Sequence, residues 1–199
     1  VKIFKKYKPD YVFHLAGQSI VKKSFTDPIY TWQTNTIGTL NILESLRELK
    51  KKCFVVLITS DKSYKNVEIK RGYKENDILG GHDPYSASKG AAEFAIQSYI
   101  KSFFSHKKNN IFIGIARAGN VIGGGDWAKN RIIVDCMKAW NKEEPVEIRA
   151  PKATRPWQHV LEPLSGYLNL GKDLNENEDL NGEAFNFGPD KKNFKVIDI

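Results

Sequence analysis

The stretch Cys53-Phe-Val-Val-Leu-Ile-Thr59 decides the fold of this chain. Its residues are apolar or β-forming without interruption, which favours a strand that is buried on both faces. Two further runs of the same kind, 11–16 and 111–117, lie before and after it. Because such strands are typical of parallel sheets covered by helices, the three runs predict neighbouring strands of one parallel sheet.

Helical patterns separate the three predicted strands. Over residues 27–49, apolar side chains recur at a spacing of three, as Ile37, Leu40, Leu43, Leu46 and Leu49. Apolar residues also follow a helical period over 86–104. The order β-α-β-α-β implies right-handed crossovers, so the sequence predicts an α/β fold with a doubly wound, Rossmann-type parallel sheet.

The character of the chain changes after Gly119, where three consecutive glycines, 123–125, begin a loop. Downstream we predict a helix over 132–141, a short strand over 146–149, a helix over 163–174 and a strand over 183–188. A doubly wound nucleotide-binding sheet normally begins with a Gly-rich turn and has an acidic residue about 20 positions later. Neither precedes Tyr11, so we expect this sequence to be an internal piece of a longer protein.

The composition argues against several classes of protein. Of 199 residues, 41% are hydrophobic and 12% aromatic, as in a globular chain. The net charge of +8 comes largely from scattered lysines, so we expect no nucleic-acid partner. No apolar run reaches the ~18 residues of a membrane helix, so no membrane association is expected. Cys53 and Cys136 lack the spacing of a zinc site or disulfide framework, which favours no metal and a reducing cytoplasm.

Two short motifs carry reactive side chains. In Asp83-Pro-Tyr-Ser-Ala-Ser-Lys89, Tyr85 and Lys89 are four residues apart on one face of a predicted helix. A neighbouring ammonium lowers the pKa of a phenol and favours the phenolate, which can act as a base. The spacing alone is common in helices, where a surface pair is the ordinary interpretation.

The second motif, Thr59-Ser-Asp-Lys62, follows the second predicted strand. Hydroxyl, carboxylate and ammonium groups therefore gather at the carboxyl edge of the sheet, where α/β proteins bind ligands. A polar turn in which Asp61 caps a helix is the simpler interpretation. Because the Tyr85 helix begins after the following loop, the two motifs can meet.

These motifs, taken with three others, resemble the extended short-chain dehydrogenases/reductases. The others are His14-Leu-Ala-Gly17, Asn35 within Thr34-Asn-Thr-Ile-Gly-Thr39, and Arg117-Ala-Gly-Asn-Val-Ile-Gly-Gly-Gly-Asp-Trp127, all in family order. The runs 155–167 and 186–189 are similar to those nucleotide-sugar 4,6-dehydratases of the family that act on CDP-glucose. Lys62 supports this subclass, because dTDP-glucose dehydratases carry glutamate there. Gly17 is a departure, since alanine is commoner at that position.

The resemblance implies NAD as cofactor, CDP-glucose as substrate and a homodimer or higher homo-oligomer in the cytoplasm. It also implies a division of the chain into an NAD-binding domain and a nucleotide-sugar-binding region, formed by residues 1–119 with 155–175 and by residues 120–154 with 176–199, respectively. Without the β-α-β unit that begins the fold, this piece is expected to be inactive by itself.

The resemblance also assigns roles to side chains. Tyr85, beside Lys89, is expected to remove the proton of the sugar C4 hydroxyl while Ser60 binds the same oxygen. Asp61 is the candidate acid for the departing C6 hydroxyl, and Lys62, if neutral because of burial or nearby cations, is the candidate base at C5. The expected cofactor-binding residues are Leu15, Ala16, Gly17, Gln18, Asn35, Thr59, Tyr85, Lys89 and Val121. The expected substrate-binding residues are Ser19, Ser60, Asn120, Arg131 and Arg155.

For several other residues we expect a structural role. Asn35 is expected to hold the helix of Tyr85 and a water, His14 to be a satisfied core residue, and Trp157 to be a packing residue. Glycines 123–125 lack Gly-x-Gly-x-x-Gly spacing and are expected to shape a substrate lid.

Two other functions stay open: a sibling dehydratase or epimerase for GDP-, UDP- or dTDP-sugars, and a non-catalytic nucleotide-sugar-binding relative.

Overall fold

The computed structural model describes residues 1–105, 109–189 and 194–198. Strands are β1 Tyr11–His14, β2 Cys53–Ile58, β3 Ile111–Ala118, β4 Val121–Ile122, β5 Thr154–Arg155, β6 Gln158–His159, β7 Ala184–Phe187 and β8 Phe194–Lys195. Helices are α1 Lys2–Tyr7, α2 Val21–Thr26, α3 Pro28–Trp32, α4 Gly38–Arg47, α5 Pro84–Tyr99, α6 Ile132–Trp140 and α7 Leu161–Glu176. The segments Gln33–Ile37 and Ile100–Phe104 are π-helical, and Asp61–Ser63, Glu178–Leu180 and Val196–Asp198 are 3₁₀ turns.

A four-stranded parallel sheet in the order β1-β2-β3-β7 forms the centre of the fold. On one face, Leu43 of α4 and Ile96 of α5 pack against Val55 and Ile113 of the sheet. On the other face, Leu170 of α7 belongs to a second core cluster that also contains strand and helix side chains Phe54, Val56, Phe112, Tyr167 and Leu174. Helices therefore cover both faces, which confirms the predicted doubly wound α/β fold.

The predicted strands and helices of the sheet are confirmed, with shifts at their ends. The helix predicted over 27–49 is divided by the π-helical segment that contains Asn35, and the Tyr85 helix begins at Pro84, two residues early. Asp83 caps this helix, because its carboxylate accepts hydrogen bonds from the backbone N–H of Ser86, at 3.0 Å, and from its hydroxyl, at 2.6 Å.

Two features differ from the sequence-based expectation. The strand predicted over 146–149 is wrong, because this segment pairs with no other described strand and is irregular. In addition, β7 comes from the region assigned to nucleotide-sugar binding but is the fourth strand of the central sheet. Residues 190–193 and 199 of that region lie outside the described residues. Within the described ranges, no helix is both long enough and apolar enough to cross a membrane.

Candidate active site

The site lies where the parallel strands end. Residues 15–19 follow β1, residues 59–62 follow β2, and residues 119–121 follow β3. Because neighbouring parallel strands place their carboxyl ends at one edge, these three segments converge there. Helix α5 packs against the 3₁₀ turn after β2 and adds Tyr85 and Lys89 to the same edge.

Ser60, Asp61 and Lys62 form a compact polar turn. The Ser60 hydroxyl donates a hydrogen bond to Asp61 Oδ1, at 3.1 Å, and accepts one from the Lys62 backbone N–H, at 3.2 Å. Ser60 is thus the cap of the 3₁₀ turn, and the alternative in which Asp61 is the cap is wrong. The second carboxylate oxygen of Asp61 lies 3.9 Å from Lys62 Nζ, so acid and base candidates are adjacent.

Lys62 does not meet the conditions under which a neutral amine was expected. Its side chain is 39% exposed, and the charged group beside it is the carboxylate of Asp61 rather than another cation. A substrate that covers this turn would change the first condition, because it would remove water from the ammonium and the carboxylate together.

Tyr85 and Lys89 are both buried, at 7% and 9% exposure. Burial raises the pKa of the Tyr85 phenol, and the negative charge of Asp61 adds to this, while the nearby Ser60 hydroxyl and the charge of Arg131 oppose it. The expected decrease caused by Lys89 is therefore not the net effect. Burial also lowers the pKa of Lys89 to about 8, although the carboxylate of Glu93 opposes this decrease.

The loop after β1 brings Lys89 and Asn35 together. A Cβ atom at Gly17 would lie 3.2 Å from Asn35 Oδ1 and 3.3 Å from Lys89 Nζ, so alanine at this position would force one of the two side chains to move. Asn35 Oδ1 accepts from the Gln18 backbone N–H at 2.8 Å, and its Nδ2 donates to Ser88 Oγ on α5 at 2.9 Å. Asn35 therefore joins the β1 loop to the helix of Tyr85, as expected.

The Gln18 side chain stabilises its own loop. Its amide nitrogen donates to Thr31 Oγ1 at 2.9 Å and to the Ile20 carbonyl at 3.1 Å, and its amide oxygen accepts from the Ile20 N–H at 2.5 Å. A ligand at this loop would therefore meet the backbone of residues 15–18 rather than the Gln18 side chain.

Ser19 and Arg131, which are 112 positions apart in the sequence, meet directly. Arg131 Nη2 donates to Ser19 Oγ at 2.7 Å, and Arg131 Nε lies 3.1 Å from Asp126 Oδ2, an ion pair without hydrogen-bond geometry. Both residues line a cleft of about 400 Å³ whose other cationic residues, Lys22 and Arg149, were not predicted. Three cations beside a serine hydroxyl suit a diphosphate.

The other residues that were expected to bind cofactor or substrate lie outside the cleft of Arg131. The Asn120 carbonyl accepts from the Gln158 N–H at 3.0 Å, and Val121 of β4 is 41% exposed. Arg155 of β5 donates to the Thr154 carbonyl at 2.7 Å and does not line the cleft of Arg131. Thr59 is buried and its hydroxyl donates to Glu93, so that its side chain faces the protein interior.

One structural expectation needs correction. His14 is not a satisfied core residue, because its buried Nε2 has no hydrogen-bond partner among the described residues. Burial, followed by the charge of Lys89, lowers the pKa of this imidazole. Trp157 also has a buried indole nitrogen without a described partner, which is compatible with the expected packing role.

Sequence reasoning missed a buried ion pair beneath the site. Arg117 at the end of β3 contacts Glu93 of α5, and their side chains are 1% and 0% exposed. Glu93 lies four residues after Lys89 and therefore on the same helical face, which is the signal that could have identified it. Arg117 could have been noticed because it is a charged residue within an otherwise apolar, buried strand.

The doubly wound sheet, with Tyr85 and Lys89 four residues apart at its carboxyl edge, defines a short-chain dehydrogenase/reductase. A family model described as GDP-mannose 4,6 dehydratase matches residues 1–181, and the chain belongs to this family.

Relatives within the family are similar over most of the chain. It is 44% identical to a CDP-glucose 4,6-dehydratase of Salmonella typhimurium over 98% of its own length and 55% of that protein. It is 32% identical to a CDP-paratose 2-epimerase of Salmonella typhi, over 94% of its own length and 60% of that protein. The chain thus spans little more than half the length of these relatives.

A solved structure supports the same fold. The UDP-glucuronic acid 4-epimerase of Bacillus cereus, solved with UDP-glucuronic acid and NAD, superposes with a TM-score of 0.84 at 22% identity. The match covers 99% of this chain and 58% of the epimerase.

Proposed function

We propose that the full-length protein containing this chain dehydrates CDP-glucose to CDP-4-dehydro-6-deoxyglucose with bound NAD. The observation that carries the proposal is the presence of two separate pairs of ionisable side chains at one sheet edge. Tyr85 and Lys89 suit oxidation at a hydroxyl, and Asp61 and Lys62 suit elimination at the adjacent carbons. Epimerisation at C4 needs only the first pair, so the second favours dehydration. The similarity to CDP-glucose 4,6-dehydratase supports the choice of nucleotide.

The residues at the sheet edge fit a nicotinamide cofactor. The buried Lys89 ammonium makes no hydrogen bond to a described side chain, and it lies beside the loop backbone at Gly17. It can therefore bind ribose hydroxyls, while residues 15–18 and the exposed Val121 border the ring. Bound NAD would accept hydride from sugar C4 and return it to C6. Its positive charge would also favour the Tyr85 phenolate that burial disfavours.

Oxidation requires that the C4 hydroxyl lose its proton. Tyr85 Oη takes this proton, and the Ser60 hydroxyl, which lies next to the phenol, orients the sugar oxygen. The low exposure of both residues keeps water away from this transfer. The resulting C4 ketone acidifies the hydrogen at C5.

Elimination then uses the pair beside Ser60. Lys62 removes the C5 proton, and Asp61 protonates the C6 hydroxyl, which departs as water. Lys62 must begin as a free amine and Asp61 as an acid, so a single proton shifted from the ammonium to the carboxylate prepares both. Their 3.9 Å separation is longer than a hydrogen bond, so this shift requires that the two groups move closer or share one water once the substrate covers them. The elimination returns each group to its charged form. The Lys62 ammonium then gives a proton to C5 as the hydride returns to C6, and the proton that Tyr85 took from the C4 hydroxyl restores the ammonium, so the sugar loses one water in total.

Substrate binding falls to the cationic cleft. Arg131 and Ser19, which line this cleft, bind the diphosphate. Asn120 and Arg155 do not line it, and their expected contacts with the substrate stay predictions. Arginine suits this role because its planar fork binds two phosphate oxygens at once.

Replacing Lys62 with alanine is expected to abolish exchange of the C5 hydrogen and to lower kcat about 10²- to 10⁴-fold, the contribution typical of a general base. The measurement is turnover of C5-deuterated CDP-glucose in ordinary water, followed by mass spectrometry. Lys65→Ala is the matched control, because Lys65 is exposed and belongs to the same segment. Continued C5 exchange in Lys62→Ala would assign the base elsewhere.

The proposed function is tested by supplying CDP-, dTDP-, UDP- and GDP-glucose separately to the full-length protein. We expect a 4-keto-6-deoxy product, detected by its absorbance in alkali, from CDP-glucose alone. Preference for another nucleotide would keep the dehydratase chemistry and reject the substrate. No product from any nucleotide would favour an epimerase or a binding protein.

We also infer that the protein works in the cytoplasm as a homodimer or larger homo-oligomer. Two buried cysteines without a disulfide, Cys53 and Cys136, are consistent with a reducing compartment. The helices of residues 27–49 and 86–104 carry exposed apolar side chains, among them Ile29, Ile37 and Phe94, which a second copy could cover.

A further inference from the structure

A buried charge pair lies directly below the reacting groups. Arg117 Nε lies 2.9 Å from each carboxylate oxygen of Glu93, and Arg117 Nη2 also donates to Glu93 Oε2. Both side chains are almost fully excluded from water. The pair joins the carboxyl end of β3 to the centre of helix α5.

Glu93 also bonds the segment that carries the candidate acid, Asp61, and the candidate base, Lys62. Thr59 Oγ1 donates to Glu93 Oε1 at 2.6 Å, which fixes the residue immediately before Ser60. Glu93 is one helical turn beyond Lys89, on the face that also presents Tyr85. One carboxylate therefore holds together the two elements that carry the proposed proton-transfer pairs.

The Arg117 side of the pair fixes the connection between those elements. Arg117 Nη1 donates to the Tyr64 hydroxyl and to the Glu75 carbonyl, each at 2.8 Å. The Tyr64 hydroxyl in turn donates to Asn186 Oδ1 at 2.6 Å, and Asn186 Nδ2 donates to the Tyr73 carbonyl at 3.0 Å. The segment between Lys62 and Tyr85 is thereby attached to β3 and β7.

Stability alone gives a weak reason for such a network. Removing two charges from water costs free energy that their attraction offsets only when the geometry is good, and apolar residues of similar volume are often as stabilising. A network of directional bonds nevertheless fixes distances more closely than apolar packing does. The network is also placed where a fixed distance between Ser60 and Tyr85 matters for proton transfer.

We propose that Glu93, Arg117 and Tyr64 are positioning residues that hold the Ser60-Asp61-Lys62 turn in register with Tyr85. The inference rests on the proposed function, since register matters only if these groups react together. All three side chains are buried, so each acts through the segment that it fastens.

The test compares Tyr64→Phe with Tyr99→Phe in the full-length protein. Each variant loses one phenolic hydroxyl, but Tyr99 bonds the surface residue Glu44, at 2.6 Å, and lies outside the network. We expect Tyr64→Phe to lower kcat about tenfold or more, because small misplacements of reacting groups are costly. The KM for the nucleotide sugar should stay close to that of Tyr99→Phe, and both variants should remain folded at the assay temperature.

Each result decides the inference. A kcat equal to that of Tyr99→Phe, or a higher KM with unchanged kcat, would overturn it. Amide hydrogen exchange over residues 60–63 gives a readout that needs no turnover, and it should be faster in Tyr64→Phe than in Tyr99→Phe. If the wild-type protein turned over no substrate, the proposed function would fail, and equal exchange in the two variants would separately refute the positioning role.

Discussion

Replacing Tyr85 with phenylalanine is expected to lower kcat about 10²- to 10⁴-fold, because it removes the group that takes the C4 proton. Phenylalanine keeps the ring that fills this buried position, so the fold and the binding of CDP-glucose should persist. The measurement is a pair of assays, steady-state turnover and equilibrium binding of the nucleotide sugar. A large loss of turnover with unchanged binding would identify an interaction made only in the chemical step.

Tyr99→Phe is the matched control for this experiment as well, since it removes a phenolic hydroxyl from the last residue of the same helix. Turnover of Tyr85→Phe close to that of the control would show that another group removes the proton. The pKa values explain why Tyr85 needs help: burial raises the pKa of the phenol, and it lowers that of Lys89 to about 8. Both shifts oppose a phenolate–ammonium pair until a cationic group binds nearby.

The central sheet could be predicted because its sequence signal is local and unambiguous. The residues of β2 are apolar without a break, those of β3 are apolar except for Arg117, and the structure buries almost all of them between two helical layers. The meeting of the Ser60 turn with helix α5 could also be predicted, because parallel topology places the segments that follow neighbouring strands at one edge. Motif order then identified Tyr85 and Lys89 within that edge.

Features that depend on distant partners could not be predicted. Val146 to Arg149 alternates between apolar and charged residues as a strand does, but strand formation requires a neighbour to bond its backbone, and none is present among the described strands. Glu93 and Arg117 lie on different elements, 24 positions apart. Nothing in the local sequence shows that Glu93 and Arg117 will form an ion pair. Nor does it show that Arg131 will donate a hydrogen bond to Ser19.

Replacing Arg117 with methionine alone is expected to lower the free energy of unfolding by about 3–5 kcal/mol, the cost typical of breaking a buried ion pair. The loss arises because the Glu93 carboxylate, which is 0% exposed, remains without its partner and without water. Urea unfolding of the full-length protein, followed by circular dichroism, measures the change. Arg47→Met is the matched control, since Arg47 forms an exposed ion pair with Glu44.

The double variant Glu93→Leu with Arg117→Met separates stability from alignment. Because neither charge then remains buried alone, we expect the two substitutions to be non-additive by about 2–3 kcal/mol, with stability recovered relative to Arg117→Met. If the pair positions the Ser60 turn, kcat should nevertheless stay low, because apolar side chains cannot bond Thr59 or Tyr64. A double variant as stable and as active as the wild type would show that the pair fills space and nothing more. Recovered stability with lost turnover would show that this sequence keeps a costly buried charge pair for the geometry it imposes on the site.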